Sequence, residues 1–195
     1  NMDKDGEFVI NLLQCRPLYL GGENEAVDLD SAHVSRALFD VKGASMGPSR
    51  HRIVDVVVQI DPAKYNAFPY ARKAEVATAV GMINRHYANT GKNLLLMAPG
   101  RVGTSSPELG VPTRFADISC FAEICEVSDS RTGFMPELSY GSHMFQDMVE
   151  AEMTYSAIWN DSRTLRYTPD LLEDEPDIFA EICPDLVELR ELIAV

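Results

Sequence analysis

Gln14 and Arg16 stand two residues apart where the apolar run Phe8–Cys15 gives way to Pro17. On a strand, positions i and i+2 share a face, so a carboxamide oxygen and a planar guanidinium fork would project side by side. That pair suits a Mg²⁺-nucleotide, with the Gln14 oxygen on the metal and the Arg16 fork on phosphate oxygens. The plainer reading is two surface hydrogen-bonding groups at a strand end.

A second candidate is Gly100-Arg101-Val102-Gly103-Thr104-Ser105, which follows the short apolar run Leu94–Ala98. A glycine-rich turn after a buried strand can expose backbone N–H groups. Gly100, Arg101, Gly103 and Thr104 would then hold a phosphate or carboxylate. The spacing matches neither the P-loop nor the dinucleotide fingerprint, and the plainer reading is a structural loop. His143, preceded by the natural N-cap Ser142, would sit at a helix start, where its imidazole tends to stay neutral. A capping or packing role explains it more simply. His33, His51 and His86 share no ligand-like spacing, and Cys15, Cys120, Cys125 and Cys183 form no C-x-x-C pair, so neither zinc nor a disulfide framework is expected. The acidic stretch Asp170–Asp177 reads as a solvated linker.

The elements that must position these groups can be read coarsely. Asp3-Lys4-Asp5-Gly6 is a hairpin-turn signal with only Asn1-Met2 before it, which predicts that the pairing strand lies upstream of this chain. Residues 34–52 read as loops and short strands. Ile53–Ile60 is β-branched and almost wholly apolar, as a central strand would be, and Asp61-Pro62 is expected to stop it. A helix is predicted from Pro69 to about Asn89, because Val76, Val80, Ile83 and Tyr87 recur at a 3.6-residue period, with Gly91 as its C-cap. A strand at Asn93–Met97 completes a βαβ unit. Residues 98–117 are expected to be a loop, Ile118–Val127 a strand, residues 141–152 a helix and Thr154–Trp159 a strand. Residues 176–195 read as two short amphipathic helices parted near Pro184. The fold class expected is α/β, with α+β as the variant: a mixed sheet flanked by helices. The organisation expected is a terminal strand unit at 1–24, an α/β domain at 25–168 and a helical tail at 169–195.

Bulk properties narrow the function. The chain has 195 residues, 46% of them hydrophobic, and a formal net charge of −13. That balance repels phosphate backbones and anionic lipid, so nucleic-acid and membrane-surface roles are not expected. No apolar run reaches the roughly 18 residues of a membrane helix, and the first residues lack a signal-peptide pattern, so a cytoplasmic location is expected. Homo-oligomerisation is left open.

Three segments resemble one family. Leu13-Gln14-Cys15-Arg16-Pro17 is similar to the Gln-x-Arg-Pro ending of the last strand in the ATP-grasp nucleotide-binding domain of phosphoenolpyruvate synthases and pyruvate phosphate dikinases. Leu94–Ser105 with Leu109-Gly110-Val111-Pro112, and Tyr140–Asp147, resemble a region that follows that domain in a subset of bacterial dikinase-like proteins. There the patterns run Gly-Pro-Gly-Arg-Trp-Gly-Ser and Gly-Ser-His-Phe-Phe-Gln. This chain has Ala98 for the first glycine and Val102 for the tryptophan. The resemblance spans most of residues 8–160. It implies ATP and Mg²⁺ as cofactors of a larger parent, with Gln14 on the metal–ATP complex and Arg16 on phosphate. The rest of the parent polypeptide would be the partner, and the reaction would be phosphoryl transfer from ATP through a phosphohistidine to pyruvate or a related acceptor. The body of the ATP-grasp domain, the swivelling phosphohistidine domain and the pyruvate-binding barrel have no counterpart here, so the chain alone is expected to be inactive. The alternative is a non-catalytic docking or regulatory module that binds a small anion at Gly100–Ser105. A small hydrolase built on Ser142 and His143 lacks the Gly-x-Ser-x-Gly elbow.

Overall fold

A computed structural model describes residues 35–43, 45–46, 51–128, 138–139 and 143–195. Gln14, Arg16, Ser142 and the predicted hairpin turn at 3–6 lie outside the described residues. The fold is α/β, as the sequence predicts. Its chain order is β1 (Phe39–Val41), β2 (Ser45–Met46), β3 (Val56–Ile60), α1 (Pro62–Ala67), α2 (Lys73–Tyr87), β4 (Leu94–Pro99), β5 (Arg101–Val102), β6 (Gly110–Val111), β7 (Phe121–Val127), α3 (His143–Glu150), β8 (Thr154–Ile158), β9 (Thr164–Tyr167), α4 (Phe179–Ile182) and β10 (Ile193–Ala194). Short 3₁₀ turns fill several of the connections.

The main sheet has six strands in the order β10-β3-β4-β7-β8-β2. β3, β4, β7 and β8 run parallel, and the edge strands β10 and β2 run antiparallel to their neighbours. The four parallel strands follow chain order, so each crossover steps the same way. Crossovers of one hand that step one way lie on one face. Accordingly α2, α4 and the buried Met148 of α3 pack with Val58, Ile60, Leu94, Leu96 and Tyr155 in one large core. The other face holds Leu95, Met97, Cys125, Val127 and Ile158, packed against Leu38, Phe39, Tyr167 and Leu172 around an antiparallel β1–β9 ribbon.

The local reasons are legible. Along β4, Leu94, Leu96 and Ala98 face the helices while Leu95 and Met97 face the ribbon, the two-residue alternation of a strand buried on both sides. Val76, Val80, Ile83 and Tyr87 of α2 are all buried, and Glu75 and Arg85 sit at the ends where the helix dipole favours them. The helix stops at Tyr87, and the chain reverses through Asn89 and Gly91, both at positive φ.

Four expectations need correction. The strand predicted from Ile53 begins at Val56, because its partner begins at Leu94; the N–H groups of Asp55 and Val56 both meet the Asn93 carbonyl, and Ile53 is 72% exposed. Asp61-Pro62 ends β3 but also starts α1: the Asp61 carboxylate accepts from the Ala63 and Lys64 N–H groups, and Pro62 takes the first helical position. The loop predicted over 98–117 carries β5 and β6, paired in parallel, and a 3₁₀ turn at Phe115–Asp117. The tail's second helix is a 3₁₀ segment, Pro184–Glu191, which gives way to β10, and β10 pairs Ile193 with Ile60.

Candidate functional site

The parallel strands deliver their carboxyl ends to one side of the sheet, where ligands of open α/β folds commonly bind. The Gly100–Ser105 turn lies there, directly after β4. Its backbone is occupied from within. The Gly100 N–H donates to the Val127 carbonyl at 2.9 Å, Arg101 to Leu109 at 2.9 Å and Gly103 to Val111 at 2.9 Å. The Val102 N–H donates to the Glu126 carboxylate at 2.9 Å. The Thr104 hydroxyl closes a local turn, accepting from the Ser106 N–H at 3.1 Å. The N–H groups of Gly100, Arg101, Val102 and Gly103 are thus satisfied within the fold. Arg101 itself is half-buried.

The side chain that sequence reasoning missed is Glu126. It is the penultimate residue of β7 and is fully buried on the helix face. Its Oε1 accepts from the Val102 N–H at 2.9 Å and the Ser139 hydroxyl at 2.5 Å. Its Oε2 accepts from the Ser139 N–H at 2.7 Å and the Tyr155 hydroxyl at 2.9 Å. Every acceptor direction is used, the condition for burying a carboxyl group without a counter-charge. Burial pushes its pKa up, and the four donors pull the other way. The one trace in the sequence is an acidic residue within the apolar stretch Phe121–Val127; its partners lie 13 to 29 residues away. Glu123, half-buried on the same strand, accepts from the Ser156 hydroxyl at 2.8 Å, and burial raises its pKa too.

A second cluster lies after β3 and β4. The Tyr65 hydroxyl donates to the Gly110 carbonyl at 2.6 Å and pins β6 to α1. The buried Lys73 ammonium lies 4.3 Å from the centre of the Tyr65 ring. Burial lowers the Lys73 pKa, while Glu108 opposes that shift.

The other candidates are distributed as follows. His143 opens α3, and its side chain lies outside the described ones. Asp177 is drawn into the fold, its Oδ1 accepting from the Phe179 and Val195 N–H groups at 3.0 and 3.1 Å. Cys120, Cys125 and Cys183 are free thiols, and burial raises the pKa of Cys125 and Cys183. Among the described residues no group of three His, Cys, Asp or Glu side chains is placed to hold a metal ion, and no helix is long and apolar enough to cross a membrane.

No protein-family model, curated protein or solved structure matches this chain. The arrangement itself is a glycine turn closed on an internal carboxylate. Glu126 occupies, for the Val102 N–H, the position an external anion would take.

Proposed function

We propose that this chain is part of a cytoplasmic ATP-dependent phosphotransferase of the phosphoenolpyruvate synthase / pyruvate phosphate dikinase type. In that reading Gln14 and Arg16 lie at the edge of the parent's Mg-ATP site, and the α/β domain that follows is a non-catalytic structural module. The three resembling segments support the parent. The non-catalytic role of the module rests on one observation: the Gly100–Gly103 N–H groups are spent on Val127, Leu109, Glu126 and Val111. Two N–H groups, those of Thr104 and Ser105, keep no internal partner among the described residues, too few for the multi-donor cradle that phosphate sites use.

Calorimetric titration of the 195-residue chain with Mg-ATP, and separately with inorganic phosphate, tests this. The expected result is no saturable heat with either. In the parent enzyme, Arg16→Ala should abolish ATP-dependent autophosphorylation while Arg101→Ala preserves it. Tight Mg-ATP binding by this chain, lost in Arg101→Ala, would overturn the structural role of the turn. Full autophosphorylation by Arg16→Ala would overturn the assignment of the nucleotide site.

A further inference from the structure

Along the ribbon side of β3 runs an open groove of about 1000 Å³, bounded by β3, by residues 167–177 and by the end of the chain around β10. Val54, Val57 and Leu172 give it an apolar lining, and each is at least partly exposed. Seven carboxylates line it against three basic side chains. Three of the seven serve the fold: Asp61 caps α1, Asp55 accepts from the Asn93 N–H, and Asp177 holds Phe179 and Val195. The other four are Asp170, Glu173, Glu175 and Glu191. All four are exposed, and none makes an ion pair among the described residues. Set around an apolar trough, these carboxylates give the groove a negative field.

We infer that this groove docks a basic, extended protein segment whose side chains alternate between apolar and cationic. The length of β3 sets the scale. Five residues at ~3.3 Å each span roughly 17 Å, room for about five residues of an extended partner. An apolar residue would rest on Val57 and Leu172 while the flanking lysines or arginines meet Asp170, Glu173 and Glu175. The charge complementarity excludes an acidic partner and selects a basic one. The inference concerns residues 54–195 only and stands whether or not the parent is a phosphotransferase.

The probe is a fluorescein-labelled octapeptide of alternating lysine and valine, titrated with the full 195-residue chain at low salt and followed by anisotropy. Two control peptides replace valine by serine, or lysine by glutamate. Saturable binding of the lysine–valine peptide is expected, weakened about 10-fold or more when salt is raised to 0.5 M. The triple variant Asp170→Asn, Glu173→Gln, Glu175→Gln changes exposed groups only, so its unfolding midpoint should match the wild type while its peptide affinity falls about 10-fold. Absence of binding overturns the inference. Equal affinity for the lysine–serine peptide also overturns it, because attraction to the chain's net charge would then suffice. So does undiminished binding by the triple variant.

Discussion

The Tyr155 hydroxyl on β8 donates to the Glu126 carboxylate on β7 at 2.9 Å, with both side chains fully buried. This bond, with those from Ser139 and Val102, joins β8, the 138–139 segment and the turn after β4 through one carboxylate. Tyr155→Phe removes one donor of four and should cost ~1–3 kcal/mol, the usual cost of leaving a buried polar group unsatisfied. Glu126→Gln puts an amide NH₂ where an acceptor is needed and sets it against a backbone N–H of Val102 or Ser139, which cannot turn away. It should cost at least as much, and the double variant less than the sum. Urea unfolding of the three variants checks this.

Burial holds the Glu126 carboxyl above its ordinary range. The native state therefore keeps a proton at pH values where the unfolded chain has lost it, so stability falls as pH rises. The contribution is complete below the unfolded value of ~4.3 and is lost as pH climbs through the higher folded value. Glu123 shifts in the same direction and is present in both proteins, so the stability difference between wild type and Glu126→Gln isolates Glu126. That difference should shrink from pH 4 upward. Unfolding midpoints measured across a pH series decide it, and a difference that grows with pH would mean that the four donors outweigh burial.

Gly103 lies at φ +80°, and a Cβ built there would fall inside contact distance of the Met144 side chain. Gly103→Ala therefore carries two costs, left-handed backbone strain of ~1 kcal/mol and a steric clash with α3. Met144→Ala should relieve the second and leave the first. A double-mutant cycle should show coupling of about 1 kcal/mol or more between the two positions, read from thermal or urea midpoints.

Lys73 is 5% exposed, with its ammonium over the Tyr65 ring. Lys73→Met keeps most of the volume and removes the cost of burying a charge. Lys73→Met should therefore lose less stability than Lys73→Ala, which also opens space beside Tyr65. Differential scanning calorimetry distinguishes the two.

The βαβ core was plain in the sequence because its signals are local. β-Branched residues fill β3, and the 3.6-residue period of α2 runs for four turns. Shorter elements escaped for physical reasons. Two residues cannot display an alternation, so β5, β6 and β10 carry no periodic signal, and Leu186, Leu189 and Ile193 mimic a helix face. Asp61-Pro62 is ambiguous in principle, since the same pair that ends a strand can cap and open a helix. The glycine turn was found, but its role depends on Glu126, Ser139 and Tyr155, which come together only after β7 and β8 have paired. No spacing rule encodes that meeting.

The strand order also bears on how the chain acquires its structure. β3, β4, β7 and β8 are laid side by side in the order in which they are synthesised, so each can find its neighbour soon after it appears. β10 breaks that sequence by returning from Ile193 to Ile60, at the free side of the first strand. Until Ile193 and Ala194 are made, Gln59 and Ile60 stand open on that side, part of a β-branched edge able to recruit a second nascent copy. The pairing of Ile193 with Ile60 thus shortens the time for which that part of the growing protein is exposed to self-association.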